Sequence, residues 1–201
     1  MPRRSQEDRS RNTRAALEQA GRRLFTERGF MGTSAEELVT AAGVTRGALH
    51  HHYGDKRGLF LAVLQQIESE TTQEIEKAID SAASDDVMAG LSVGIEVFLR
   101  ICQQPEMLQI TLTDAPTVLG WQAWREFELA HGLGLITRQL ERARAAGMIA
   151  DAPIPVLAQL MMSMISEAAL IIAHAEDPDT ARAQTQQSVL LLFMGLLRTS
   201  G

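Results

Sequence analysis

The side chains best suited to chemistry lie close together in the sequence. Arg46 can pair with the O6 and N7 atoms of a guanine through two parallel hydrogen bonds. His50, His51 and Lys56 follow within ten residues. Their side chains can donate to phosphate oxygens, contacts that position a protein on DNA without reading its sequence. This set predicts DNA recognition. Arg46 would read a base edge, and its neighbours would contact the phosphates of the DNA backbone.

Three consecutive histidines also suggest a metal site, but helical geometry argues against it. Successive helical residues are rotated by about 100°, so His50, His51 and His52 cannot converge on one ion. The single cysteine, Cys102, excludes an intrachain disulfide and a zinc site built from several cysteines. We therefore predict neither a metal site nor a cofactor. We interpret His52 as an inward-facing histidine and Cys102 as a buried, inert thiol.

Two short helices joined by a glycine turn must position these side chains. Ser34 and Glu37 form a Ser-x-x-Glu capping box at the start of the first helix. Gly43 permits a tight reversal, and Thr45 can cap the second helix. In helix-turn-helix proteins the first residues of the second helix meet base edges in the major groove. The candidate DNA-binding residues are Ser34, Ala35, Thr45, Arg46, Gly47, Ala48, His50, His51, Tyr53 and Lys56.

The run Thr33–Lys56, with the Leu59-Phe60 that follows it, resembles the tetracycline-repressor (TetR) family of bacterial regulators. It contains Ala-Gly-Val-Thr-Arg-Gly-Ala-Leu-His-His-His-Tyr-Gly-Asp-Lys, and the resemblance covers about residues 10–65. It implies a homodimeric, all-helical repressor whose C-terminal body binds a small molecule. Ala48 replaces the family's usual threonine and His50 its usual tyrosine, so the operator sequence is not transferable.

Several contacts have two interpretations. The free N–H groups at the start of the helix that Ser34 opens suit a phosphate. The hydroxyl of Tyr53 either contacts a phosphate of the DNA backbone or packs inside the protein. His50 donates more strongly to a phosphate when it is protonated. The arginines of the N-terminus form either a solvated tail or an arm along the DNA. They are Arg3, Arg4, Arg9, Arg11 and Arg14.

The charge of the chain is unevenly distributed. The 201 residues hold 19 Lys and Arg against 25 Asp and Glu, a net charge of −6. That balance alone argues against a nucleic-acid-binding protein. Residues 1–60, however, hold 11 Lys and Arg against 7 Asp and Glu, a net charge of +4, and residues 61–201 carry −10. We expect a basic head, an acidic body and an operator affinity that falls steeply with salt.

Apolar residues recur at three- and four-residue spacings along most of the chain, which predicts an all-α fold. We expect an N-terminal three-helix helix-turn-helix DNA-binding domain at residues 1–55. A C-terminal helical effector-binding and dimerisation domain follows at residues 56–201. Residues 1–9 are expected to fray, and Ser81–Asp86 to form a polar linker. The predicted helices cover residues 10–28, 34–43, 45–53, 56–82, 86–102, 105–113, 118–146, 153–175 and 178–198.

The last two predicted helices carry apolar side chains on more than one face. A helix of this kind must bury two faces. Its own domain covers one face, and a second copy of the chain can cover the other in a four-helix bundle. The alternative is that both faces belong to the core of one subunit. The candidate dimer-interface residues are Leu157, Met164, Ala168, Ile172, Leu190, Phe193, Met194 and Leu197.

Aromatic and methionine side chains concentrate in the middle helices. Aromatic walls with a few polar groups are typical of small-ligand cavities, although a solid core has the same composition. We expect a small, largely apolar effector. The alternative is a DNA-binding regulator without a small-molecule site, controlled by a protein partner or constitutive. The candidate ligand-binding residues are Phe98, Met107, Trp121, Trp124, Phe127, Met161 and Ile165.

The sequence lacks the motifs of an enzyme. Asp114, Glu128 and His131 could serve as acid–base groups, but no nucleophile motif, phosphate loop or metal-ligand spacing accompanies them. The N-terminus has no apolar signal segment. The longest uninterrupted apolar stretch near the end, Val189–Met194, is far shorter than a membrane span. We predict a cytoplasmic, non-enzymatic protein with no catalytic residues. Its partners are operator DNA, a small effector and a second copy of itself, with no membrane contact.

Overall fold

A computed structural model describes residues 3–82, 87–149 and 151–195 of the chain. These residues are almost entirely helical, which confirms the all-α prediction. In chain order the elements are α1 Arg3–Arg28, α2 Ala35–Ala42, α3 Arg46–Tyr53, α4 Lys56–Ala82, α5 Val87–Ile101, a π-helical segment Met107–Asp114, α6 Ala115–Leu119, α7 Trp121–His131, α8 Leu133–Ala145, α9 Ile154–Ala173 and α10 Pro178–Met194.

The chain packs as two compact units. The first unit comprises Met1–Ile67 and Pro105–Trp121, and the second comprises Glu68–Gln104 and Gln122–Gly201. Helix α4 is continuous and contributes to both units. The first unit thus contains the helix-turn-helix together with a segment from the middle of the chain. The functional division at residue 55 stays a prediction.

The core of the first unit is built around three phenylalanines. Phe25 and Phe60 are fully buried, and their rings meet edge to face with centroids 5.3 Å apart. Phe30 meets Phe60 in the same way at 5.2 Å. Such edge-to-face pairs add stabilisation beyond the burial of area. Leu38 of α2 and Leu49 of α3 are buried as well, so both short helices are anchored by apolar side chains.

Helix α1 begins earlier than the sequence predicts. It begins at Arg3 rather than near Ser10, so the expectation that residues 1–9 fray is wrong for the described part of that segment. The segment contains no helix-breaking residue after Pro2, and Asp8 pairs with Arg11 at 2.5 Å one turn later. Ion pairs at this spacing support a helix.

Two other boundaries also differ from the prediction. Pro116 does not end a helix; it lies in the first turn of α6, where a missing N–H costs no helical hydrogen bond. The predicted helix 118–146 is divided at Gly132 into α7 and α8. Of the predicted linker Ser81–Asp86, residues 83–86 lie outside the described residues.

The second unit is centred on α9, which packs against α8 and α10. By length and composition alone α9 could cross a membrane. The core helix of a helical protein meets the same criterion, and α9 buries one side within its unit. Its buried side chains are Ile154, Ala158, Met161, Met162, Ile165, Ala168, Ala169 and Ile172.

Candidate functional site

The turn between α2 and α3 is built as the sequence predicts. The Ser34 hydroxyl oxygen accepts the Glu37 N–H at 3.2 Å, and the Ser34 N–H donates to the Glu37 carboxylate at 2.8 Å. This is the expected capping box, and its hydrogen bonds from Ser34 lower the pKa of Glu37. Gly43 adopts φ 65, a left-handed conformation that disfavours a side chain. Thr45 caps α3 by accepting the Ala48 N–H at 3.2 Å.

The start of α3 presents Arg46 to solvent. Thr45, Arg46 and Gly47 are exposed, whereas Leu49 one turn later is buried and fixes the helix on the unit. Among the described residues, the Arg46 guanidinium makes no hydrogen bond or ion pair. All of its donors therefore remain available to a base edge. Ala48 is half-buried beside this surface.

The three histidines of α3 differ in their surroundings. His50 is exposed, and its Nδ1 lies 2.7 Å from the Gly54 carbonyl oxygen, so Nδ1 carries the proton. A neutral imidazole has one N–H; Nε2 of His50 can therefore donate to a phosphate only after the ring is protonated. His51 is exposed. His52 is half-buried, and burial, followed by the charges of His51 and Arg14, lowers its pKa.

The hydroxyl groups of Ser34 and Tyr53 are already used inside the free protein. Ser34 donates its hydroxyl proton to the Glu37 carboxylate at 2.7 Å. The Tyr53 hydroxyl donates to Glu18 of α1 at 2.7 Å. Burial and this hydrogen bond raise the pKa of Tyr53. Tyr53 thus follows the packing interpretation in the free protein.

Lys56 holds the connection between α1 and α2. Its ammonium donates to the carbonyl oxygens of Phe30 and Thr33 at 2.8 Å each and lies 4.0 Å from the centroid of the Phe30 ring. The sequence predicts that Lys56 contacts a DNA phosphate. In the structure, two of the three N–H groups of its ammonium donate to carbonyl oxygens of the protein instead. That role was not visible in the sequence, because Phe30 is 26 residues away.

Replacing Lys56 by methionine is expected to lower the stability of the protein by about 2–3 kcal/mol, since two hydrogen bonds from a charged donor are lost. The Phe30 carbonyl keeps the Thr33 N–H as a donor, whereas the Thr33 carbonyl loses the Lys56 ammonium. Thermal unfolding followed by circular dichroism measures this loss. Lys77→Met, at an exposed position of α4, is the matched control. An unchanged melting temperature with uniformly weaker operator binding would instead favour the phosphate contact.

Charged groups hold the π-helical segment on α1 and on the connection between α1 and α2. Arg22 of α1 donates to both carboxylate oxygens of Glu106, at 2.6 and 2.7 Å, and these hydrogen bonds lower the pKa of Glu106. Asp114 accepts the Phe30 N–H at 2.7 Å. From the sequence, Asp114 is interpreted as a cap or turn residue, with an acid–base role as the alternative. The structure makes it a fixed hydrogen-bond acceptor.

The candidate ligand-binding residues fall into both units. Met107 and Trp121 belong to the first unit, where Met107 is buried and Trp121 is 72% exposed. The other five belong to the second unit, where Trp124, Met161 and Ile165 are buried and Phe98 and Phe127 are half-buried. Trp124 and Phe127 stack with centroids 5.9 Å apart. The structure therefore brings these two together and places Trp121 at the surface.

A polar cluster that the sequence did not predict lies within the second unit. Glu68 on α4 is half-buried, and partial burial of its carboxyl, followed by the charge of Glu128, raises its pKa to about 7. Glu128 accepts from Arg125 at 3.0 Å and from Ser166 at 3.1 Å. The sequence does indicate that Glu68 faces inward, since it follows Leu64 by four residues and so lies on the apolar stripe of α4. Burial and the charge of Glu68 also raise the pKa of Cys102.

Each of the candidate acid–base groups has partners within its own unit. Glu128 is held by Arg125 and Ser166, and Asp114 by the backbone of the first unit. His131 lies with Nδ1 2.9 Å from the Phe127 carbonyl oxygen. Within the described residues no group of three or more His, Cys, Asp or Glu side chains could hold a metal ion.

The candidate dimer-interface residues are only partly exposed. Ala168, Ile172 and Phe193 are buried by their own chain, so the structure assigns them to the subunit core. Leu157, Met164 and Leu190 are half-buried, Met194 is exposed, and Leu197 lies outside the described residues. A different apolar row is more than half exposed on α9 and α10. It consists of Val156, Leu160, Ile171, Leu191, Leu192 and Met194.

Comparison with known proteins identifies both parts of the chain. Residues 18–63 match the family described as bacterial regulatory proteins, tetR family. Residues 88–196 match the family described as tetracyclin repressor-like, C-terminal domain.

Similar proteins carry the same descriptions. A crystal structure of a TetR-family transcriptional regulator from Pectobacterium atrosepticum has a TM-score of 0.80 and 35% identity, covering 96% of this chain and 97% of that one. An HTH-type transcriptional repressor from Mycobacterium tuberculosis is 28% identical over 91% of this chain and 94% of its own length. The repressor AcnR from Corynebacterium efficiens is 30% identical over 56% of this chain, which spans 62% of that relative. All three are described as transcriptional regulators or repressors, in agreement with a non-enzymatic function.

Proposed function

This chain belongs to the TetR family of DNA-binding bacterial regulators, and from that membership we propose that it represses transcription. In this proposal a cytoplasmic homodimer binds a near-palindromic operator and leaves it when a small effector binds. The observation that carries the proposal is the free guanidinium of Arg46 at the capped start of α3. In helix-turn-helix proteins that position faces base edges in the major groove.

The phosphate contacts are assigned to the groups around Arg46. The backbone N–H groups of Ala35 and Glu36 at the start of α2 suit an anion, with the Ser34 hydroxyl retained in the cap. Thr45, Gly47 and Ala48 flank the base contact, and His51 and protonated His50 donate to phosphates. Tyr53 and Lys56 contribute by holding the head together.

Dimerisation is assigned to the exposed apolar row on α9 and α10. Exposed apolar patches on a soluble protein indicate interaction sites, and the same row on a second copy is its natural complement in an isologous interface. Two recognition helices are then available for half-sites about one DNA turn apart.

Effector release is assigned to helix α4, which is continuous from Lys56 to Ala82. An effector bound in the second unit displaces α4. This displacement changes the distance between the helix-turn-helix domains of the two subunits. Both half-sites can then no longer be occupied together. Because coupling between two ligands is reciprocal, operator DNA must weaken effector binding by the same factor.

Selection of binding sites from random double-stranded DNA tests the proposed function. We expect the purified protein to enrich an inverted repeat whose half-sites are separated by about 10 base pairs. Compounds are then screened for release of the selected DNA by fluorescence anisotropy. Enrichment of no sequence would contradict the function, and a selected operator that no compound releases would favour a regulator controlled by a protein partner or constitutively active.

Replacing Leu160 by glutamate is expected to separate the dimer, because Leu160 is 64% exposed in the middle of the apolar row. Operator binding should weaken by about 10²-fold or more, since two linked contacts become independent. Sedimentation velocity measures the oligomeric state and anisotropy the affinity. Gln73→Glu, at an exposed position of α4, adds the same charge and should remain dimeric. A dimer that survives Leu160→Glu would place the interface elsewhere.

A further inference from the structure

A cavity of about 280 Å³ lies between α4 and α8 within the second unit. Gln139 of α8 lines this cavity, although only 6% of the residue is exposed. Its side-chain oxygen Oε1 is shielded from solvent and has no hydrogen-bond partner among the described residues. A buried amide oxygen without a partner lowers the stability of a folded chain. A ligand that donates a hydrogen bond to this amide would offset that cost.

The amide of Gln139 can turn toward such a ligand. The last torsion of a glutamine side chain has a broad energy profile, and no hydrogen bond to Oε1 holds the amide in one orientation. Turning about this torsion exchanges the positions of the oxygen and the nitrogen. The oxygen is then available to a donor in the cavity that Gln139 lines.

Charged side chains line the cavity from both helices. Glu76 and Asp80 are one turn apart on α4, and Arg138 and Arg142 are one turn apart on α8. Arg138 donates to Glu76. Asp80 and Arg142 are exposed, and neither forms an ion pair or hydrogen bond within the described residues. Two carboxylates and two guanidinium groups balance, so a ligand without net charge suits the cavity, and the unpaired groups offer it one anion and one cation.

The rest of the lining is apolar. Ile79 of α4 is buried and Leu135 of α8 is half-buried. Cavities for small ligands have volumes of about 300–1,000 Å³, so this one suits only a small molecule. None of the ligand-binding candidates predicted from the sequence lines it. The lining therefore points to a ligand with a short aliphatic part and two opposite charges.

We propose that this cavity is the effector site, and that the effector is a zwitterion of the amino-acid type with a short aliphatic side chain. This inference rests on the proposed function and specifies its effector. Arg142 binds the carboxylate, and Asp80 binds the ammonium group. The turned amide of Gln139 accepts a further ammonium proton, and the aliphatic side chain packs on Ile79 and Leu135.

The location of the cavity suits the proposed release of the operator. Asp80 lies on α4, the continuous helix to which effector release is assigned. A ligand that bridges Asp80 and Arg142 ties α4 to α8 and thereby displaces α4. Without the ligand, no described ion pair joins these two residues.

Isothermal titration calorimetry with L-valine, L-leucine and L-isoleucine tests the site. We expect at least one of the three to bind the full-length protein. The tightest is then compared with two analogues that lack either its ammonium group or its carboxylate. For leucine these are 4-methylpentanoate and 3-methylbutylamine. Each analogue should bind about tenfold more weakly or worse, because a charged hydrogen-bonding group is missing.

Variants of the lining residues assign the contacts. Arg142→Ala and Asp80→Asn change exposed side chains and should each weaken binding of the amino acid by about tenfold or more. Arg144→Ala and Glu141→Gln, at exposed positions of α8 outside the cavity, are the matched controls. Gln139→Leu should also weaken binding, yet raise the melting temperature of the free protein, because the unpartnered oxygen is removed.

Three results would overturn the inference. The first is binding of none of the three amino acids. The second is an affinity that the analogues match, or that neither Arg142→Ala nor Asp80→Asn alters. The third is an amino acid that binds but does not release the selected operator, which would remove the effector role. Calorimetry requires no DNA, so failure to select any operator would contradict the proposed function and leave the binding result intact.

Discussion

Replacing Arg46 by alanine should weaken operator binding by about 1–3 kcal/mol and relax selectivity at one base pair of each half-site. The reason is geometric, since Arg46 is exposed at the capped start of α3 and keeps its donors free. A bidentate pair with guanine depends on the planar guanidinium rather than on charge alone. Arg46→Lys should therefore lose selectivity as well, although it preserves the charge.

Arg23→Ala supplies the matched comparison. Arg23 is exposed on α1 of the same unit, and its loss removes one positive charge outside the recognition helix. We expect a uniform, modest weakening across operator variants and a shallower dependence on salt. Affinities for the selected operator and its single-base variants measure both effects. If Arg46→Ala and Arg23→Ala had the same selectivity among operator variants, Arg46 would not be the residue that reads a base.

Replacing Glu68 by glutamine should stabilise the protein at pH 8 by about 3 kcal/mol. Burial raises the pKa of this carboxyl from 4.5 to about 7, and every tenfold change in proton affinity corresponds to about 1.4 kcal/mol. For a chain of this size that gain corresponds to a melting temperature higher by about 5–10 °C. Differential scanning calorimetry of the effector-free protein measures it.

The pH dependence of this gain has a fixed sign. Below pH 4.5 the carboxyl is protonated in both the folded and the unfolded chain, so Glu68→Gln brings no advantage. Between pH 4.5 and 7 the unfolded chain loses the proton that the folded chain retains, and the cost of Glu68 grows. Above pH 7 the cost is constant. Glu70→Gln should give no such profile, and a gain independent of pH would assign the effect to packing.

Local chemistry accounts for what the sequence revealed of the helix-turn-helix. The contacts of Ser34 with Glu37, and of Thr45 with Ala48, span three residues. Patterns of this length are recognisable in a single sequence. The start of α3, and hence the exposure of Arg46, follow from them.

Distant pairings account for what the sequence did not reveal. Lys56 and Phe30 are 26 residues apart, Tyr53 and Glu18 are 35 apart, and Arg22 and Glu106 are 84 apart. Each residue alone is compatible with a solvated surface or a DNA contact. Only the folded chain shows that these side chains hold the unit together.

The apolar breadth of α9 explains why the sequence did not separate its buried side from its exposed side. Its stripe is too wide for the sequence to fix which side faces the core. Packing against α8 and α10 buries Ala168 and Ile172 and leaves Leu160 and Ile171 outside. The prediction of two apolar faces therefore holds for α9, although the residues on the outer face differ from those proposed from spacing.

The π-helical segment Met107–Asp114 makes the first unit sensitive to the length of the chain. In a regular α-helix two residues eight positions apart differ by about 80° around the axis. The wider π turns change that offset. Glu106 accepts from Arg22 of α1, and Asp114 accepts the Phe30 N–H just after α1. Gaining or losing one residue here would turn Asp114 away from the Phe30 N–H. Single-residue insertions and deletions, which evolution tolerates in exposed loops, should therefore be rare between these two anchors.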